Sequence, residues 1–197
     1  MKIKQLLLLA VVFVPAVACS STPDMGPDDA ADAVAKLLVE RKSEEANDLF
    51  EAVEDSGEHR NAIYATVYER AGNYYRKNRY EPTATMLRFL HENYPNASAP
   101  RVALLWTLFQ RRAAVTDKPS DKEIKEWKTL VKEIRKADEK NYSAYVDLAS
   151  AQVAVDEGRL DDAEREFTRF RSRWNGRPTE IRFYVEEFDR YFQSKES

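Results

Sequence analysis

Residues 64–97 read YATVYERAGNYYRKNRYEPTATMLRFLHENYPNA, and the spacing of apolar residues within them decides the fold. Val67, Ala71 and Tyr74 recur at intervals of four and three, the period of one face of a helix. A polar break, RKNR at 76–79, interrupts the pattern before Met86, Leu87 and Leu90 resume it. Pro82 is expected to open the second helix and Pro95 to close it. Two helices joined by a tight turn follow from this spacing alone.

The same period runs outward in both directions, and no segment shows the alternation of a strand. Upstream, Ala30, Ala33 and Leu37 mark a first helix, and Ala46, Phe50 and Val53 mark a second. Ser43 is its expected N-cap, with Glu44 and Glu45 where the helix dipole favours acids. Downstream, 102–109 is apolar nearly all round and is expected to be the most buried helix. After a loop at 115–120, Ser120 or Asp121 caps a helix with the stripe Ile124, Trp127, Val131 and Ile134. Tyr145, Leu148, Ala151 and Val155 pair with Leu160, Ala163, Phe167 and Phe170 across a turn at Gly158. Gly176 and Pro178 precede a last helix carrying Ile181, Tyr184, Phe188 and Phe192, for nine helices in all.

Ala46, Thr83 and Ala163 occupy equivalent small positions in the second helix of their pairs. The first two lie 37 apart, and Thr83 to Ala163 is 80, two steps of 40 with the longer loop absorbing the excess. Such self-similarity is the signature of stacked repeats. The pattern resembles tetratricopeptide repeats, helix–turn–helix units of about 34 residues. In 64–97, Val67 takes the large first-helix position, Ala71 the small one and Tyr74 the aromatic that follows. Tyr80 stands at the turn, Thr83 and Leu87 at the small and large second-helix positions, and Pro95 at the close. Ala46 and Phe50 match in the first unit, and Gly158, Leu160, Ala163 and Phe167 in the last; 98–140 matches poorly. The resemblance implies an all-α superhelix of about four hairpins with a C-terminal capping helix, over residues 30–197.

The N-terminus has the layout of an export signal. Lys2 and Lys4 precede an apolar run at 6–14, too short to span a bilayer, and small residues lead into Cys19. Residues 1–18 are expected to be removed between Ala18 and Cys19. A cysteine at that point resembles the lipobox of bacterial lipoproteins, which implies acylation of the Cys19 thiol. The departure is Ala16, where that family usually has Leu. Ala16-Val17-Ala18 also satisfies the ordinary signal-peptidase rule, which leaves a soluble periplasmic repeat protein as the alternative. Residues 19–29 read as the lipidated cysteine and a flexible Pro- and Asp-rich tether. Ser20 after the cysteine resembles the signal for outer-membrane delivery.

Cys19 is the sole cysteine, so no disulfide within the chain is possible. The net charge of −3 argues against nucleic acid, which would need a basic face. The two histidines, His59 and His91, have no metal-ligand spacing around them, and His91 late in its helix suits the helix dipole or the surface. No phosphate loop, nucleophile elbow or zinc-protease motif is present. Neither an enzyme nor a cofactor or small-molecule substrate is expected. Lys122, Lys125, Lys128, Lys132, Arg135 and Lys136 are interleaved with Glu123, Glu126 and Glu133, and Lys122 is spaced for an i,i+4 pair with Glu126. This run reads as a solvated face, with docking to anionic headgroups or an acidic partner as the alternative.

Stacked hairpins expose a concave face that binds peptides or proteins. Tyr68, Tyr75, Gln110 and Gln152 are first-helix residues pointing away from the core and toward that face. Phe183 and Phe192, off the buried stripe of the last helix, are further contact candidates. The functional expectation is a membrane-anchored scaffold or adaptor for protein partners in a bacterial envelope assembly, resembling the repeat lipoproteins that help insert outer-membrane proteins. A pilotin-like chaperone carrying a secretin or another outer-membrane client is the second expectation.

Overall fold

The computed structural model describes residues 25–53, 57–114, 117–138 and 142–174. The expected signal at 1–18 with Ala18, Cys19, and the last expected helix with Phe183 and Phe192 lie outside them. Among the described residues the chain is all-α, with eight helices and no strand. These are α1 (Pro27–Val39), α2 (Ser43–Ala52), α3 (Gly57–Tyr75), α4 (Tyr80–Asn93), α5 (Ser98–Ala113), α6 (Asp121–Ala137), α7 (Tyr145–Asp156) and α8 (Leu160–Arg173). Among the described residues consecutive helices pack on one another, α2 and α3 apart; α1 packs on α3 instead, and α5 and α7 also meet across one intervening helix.

Three of the interhelix turns are built alike. Arg41, Asn78 and Gly158 have φ of 64°, 56° and 74°. In each turn the next N–H reaches back to a carbonyl five residues earlier: Lys42 to Leu37 at 2.9 Å, Arg79 to Tyr74 at 3.0 Å, Arg159 to Ala154 at 2.8 Å. The left-handed residue itself donates to the carbonyl three residues before it, so the turn satisfies two orphan carbonyls. Five residues after each left-handed residue comes a fully buried small side chain: Ala46, Thr83 and Ala163. Four further on come Phe50, Leu87 and Phe167, all buried. Thr83 turns its hydroxyl inward without penalty, donating to the Arg79 carbonyl at 2.8 Å and lying 3.4 Å from the Ala71 carbonyl. The two small residues of this hairpin thus meet, which is why its helices approach closely. Tyr74 and Tyr80 are half-buried beside them, and Pro95 is exposed.

The α5–α6 connection has no left-handed residue among those described. It is longer, and α6 is started instead by a capping box. Ser120 accepts from the Glu123 N–H, and the Glu123 carboxylate accepts from the Ser120 N–H at 2.8 Å.

Several local expectations are corrected. Helix α1 begins inside the stretch read as tether, because Pro27 is preorganised for the first helical position and Asp28 and Asp29 suit the dipole. Its buried residues are Ala30, Ala31, Val34, Ala35 and Leu38, not the stripe through Ala33 and Leu37. Ser43 is the first residue of α2 rather than its cap; the left-handed turn makes Lys42 the boundary, and no side chain caps it. Helix α4 starts two residues before Pro82, which remains in the first turn, where its missing N–H costs nothing. The most buried helix is α7, with seven of twelve residues buried against six of sixteen in α5. Small residues on every side of α7 let α6 and α8 close around it, whereas α5 carries Arg101, Arg111 and Arg112.

Candidate functional site

Helix α3 places Tyr64, Tyr68, Gly72 and Tyr75 along one side at helical intervals. The rings of Tyr64 and Tyr68 stack at 5.8 Å and 8° between planes, and Tyr75 leans on Tyr80 at 5.8 Å. Tyr68 is 36% exposed, the only large apolar side chain among the described residues to reach that level. Opposite, α5 presents Ala103, Trp106 and Thr107. Helices α3 and α5 meet far less closely than α1 and α3, and a cleft of about 230 Å³ opens between them.

Thr83 and Leu87 of α4 border this cleft, Tyr68, Ala71, Gly72 and Tyr75 line its α3 side, and Trp106 stands on its α5 side. Trp106 is fixed by stacking on Phe109 at 5.2 Å and on Tyr145 of α7 at 4.9 Å. The hydroxyl of Thr107 donates to the Ala103 carbonyl at 2.8 Å, as that of Thr83 does to Arg79. Both threonines therefore satisfy their polar atoms on their own helices, and the cleft is lined mainly by carbon. Its cation is Arg76, which donates to the Asn73 side-chain oxygen at 2.5 Å. Gly72 keeps the α3 wall open: a Cβ built there meets nothing nearer than Arg76 Nη1, at 3.6 Å. Chemically the site can accept a bulky apolar side chain; it offers no thiol, no imidazole and no carboxylate.

Of the residues expected on the binding face, Tyr68 and Tyr75 come together here. Gln110 and Gln152 do not line the cleft. Gln152 instead donates to Asp156 at 3.3 Å, and Asp156 clamps Arg112 of α5 through contacts of 2.8 and 3.1 Å.

A second constellation, which the sequence did not indicate, joins α6, α7 and α8. Asp147 has no exposed side-chain surface, yet it stands eleven residues before Gly158, as Val67 does before Asn78 and Ala30 before Arg41. At this core position it accepts from Arg135 at 2.6 Å, from the Tyr142 hydroxyl at 2.9 Å and from Arg173 at 2.7 Å. Arg135 also binds Glu166 at 2.5 Å, and the Arg173 guanidinium lies 3.9 Å from the centre of the Tyr142 ring. Burial opposes the charge on Arg135, but its hydrogen bonds to the carboxylates of Glu166 and Asp147 outweigh it and hold the guanidinium pKa above its ordinary value. Every carboxylate oxygen of Asp147 is engaged, so the network is a fastening and has no free acid or base to offer. The only sequence signal was an aspartate interrupting the apolar run of α7.

His91 Nε2 lies 3.3 Å from Glu133, and His59 Nε2 is 2.9 Å from the Met25 carbonyl, to which it donates. Among the described residues no three His, Cys, Asp or Glu side chains group to hold a metal ion, and no helix is long and apolar enough to cross a membrane. No protein-family model, no curated protein and no solved structure matches this chain.

Proposed function

We propose that the chain is a lipid-anchored, tetratricopeptide-like adaptor that holds segments of envelope proteins beside the bacterial outer membrane. The single observation that carries this reading is the cleft between α3 and α5. Its volume of about 230 Å³ falls below the roughly 300–1,000 Å³ of small-molecule pockets, and suits one apolar side chain of a polypeptide. Aromatic walls around such a pocket are the usual anchor points of protein interfaces. The three like turns, with buried small residues at a fixed distance after each, support the repeat architecture.

The test is photo-crosslinking in intact cells from a benzoylphenylalanine introduced at Tyr68, compared with the same protein carrying Gly72→Leu. Helix formation favours Leu over Gly, so the plugged protein stays folded. Adducts to envelope proteins that vanish on plugging support the adaptor; adducts unchanged by the plug remove the cleft from it. The intact mass of the exported protein decides separately whether Cys19 carries acyl chains.

A further inference from the structure

The charges of α6 separate by partner in a way its sequence hides. Glu123 pairs with Arg111 of α5, Glu126 takes a two-pronged grip from Arg88 of α4 at 2.6 and 2.9 Å, and Glu133 lies 3.3 Å from Arg101. The expected Lys122–Glu126 pair is not formed. All three carboxylates are half-buried and spent on arginines of other helices. Lys122, Lys125, Lys132 and Lys136 are exposed and have no ion pair among the described residues; Lys128 alone is held, by Glu157 at 2.9 Å. At 3.6 residues per turn the five lysines fall within one arc of about 120°, over about 21 Å of helix.

We propose that this stripe rests on the headgroups of an anionic phospholipid membrane. The arc holds Thr129 and Asp121 besides the lysines, and no apolar residue. A polypeptide partner needs a desolvated anchor; the adjoining Val131 and Val153 are buried, and the half-buried Ile124 lies outside the arc as a single apolar residue. A lipid surface needs none, because each lysine near it adds attraction independently. Lysines suit a diffuse field of phosphates as mobile point charges, without the fixed geometry of arginine. The inference rests on the reading of a protein that works beside a membrane, but makes no use of the cleft or of the Cys19 lipid.

The experiment is co-sedimentation of the exported chain carrying Cys19→Ser, which cannot be acylated, with two kinds of vesicle. Binding to mixed phosphatidylcholine–phosphatidylglycerol vesicles should exceed that to phosphatidylcholine alone and fall with salt. Lys125→Gln with Lys132→Gln should weaken it roughly thirtyfold. Lys36→Gln with Lys77→Gln, the same charge change at exposed sites elsewhere, should leave it intact. Equal binding to both vesicles, or equal loss in the control pair, overturns the proposal. Binding to soluble polyglutamate without binding to the vesicles also overturns it, in favour of an acidic protein. An unacylated Cys19 in cells would count against the anchor while leaving the vesicle result standing.

Discussion

Arg135 on α6 holds the fully buried Asp147 of α7 at 2.6 Å, at a position where the two preceding hairpins with the same turn carry alanine and valine. A buried carboxylate is tolerated only while it is paired, so removing its partner leaves an uncompensated charge. Arg135→Met should destabilise the protein by about 2–4 kcal/mol, read from denaturant midpoints, because Arg173 and Tyr142 remain as partial compensation. Asp147→Val in the Arg135→Met background should recover much of that loss. A double variant as unstable as the single one would show that the network does more than neutralise Asp147.

The three like turns give a signed series. Gly158→Ala places a Cβ at φ 74° and should cost about 1 kcal/mol, although the space around it is open. Arg41→Gly relieves the same conformation at φ 64° and should stabilise by up to about 1 kcal/mol. Asn78→Gly should gain less, since asparagine tolerates the left-handed region better. Thermal melts of the three proteins check both the signs and the order.

Gly72 lies within α3, where glycine costs about 1 kcal/mol relative to alanine. With the nearest atom to a new Cβ at 3.6 Å, Gly72→Ala should raise stability by roughly 0.5–1 kcal/mol. The measurement is the shift in denaturant midpoint at unchanged slope. A loss of stability would mean that α3 needs the glycine for its own packing, and would remove the argument that it serves the cleft.

Acid should act on the α6 capping box. Burial tends to raise the pKa of Glu123, but the hydrogen bonds from Ser120 and the charge of Arg111 prevail and lower it. A carboxylate depressed in the folded state stabilises above its unfolded pKa, and that contribution is lost as pH falls through the folded value. Glu123→Gln should therefore cost stability at neutral pH and progressively less in acid. A cost independent of pH would point to packing alone.

Alkali should act on Tyr94. Burial pushes its phenol up to about 12, and the hydroxyl donates to the Arg60 carbonyl at 2.6 Å. A raised phenol stabilises fully below its unfolded pKa, roughly 10, and the contribution fades as pH rises through the folded value. Phenolate absorbance should lose a component titrating near 12 in Tyr94→Phe. The variant should also lose about 1 kcal/mol at neutral pH, because the hydrogen bond from the phenol to the Arg60 carbonyl is gone.

Helical period and small-residue spacing were legible in the sequence because both are local. Ala46, Thr83 and Ala163 announced close helix approach, and Gly158 announced a turn. Arg41 and Asn78 did not, since a long or polar side chain forced into the left-handed region looks like ordinary surface. In α1, alanines on several sides blur the apolar contrast, and the buried face was read off its true position. The lysines of α6 are solvated as expected, but the Lys122–Glu126 pair failed for a different reason: counting neighbours on one helix cannot reveal that Arg88, Arg101 and Arg111 take its carboxylates. The cleft was half visible. Tyr68 and Tyr75 do line it, but the gap lies between α3 and α5, a relation that no single helix encodes.

Because the helices pack chiefly on their neighbours along the chain, little loop must be closed before each contact forms. Folding that is limited by loop closure is then fast, in the microsecond-to-millisecond range of helical proteins with local contacts. A chain delivered from its N-terminus can lock α1 against α2 and α3 while later hairpins are still arriving. Little apolar surface waits for a distant partner, so the interval in which the nascent protein is exposed to aggregation is short.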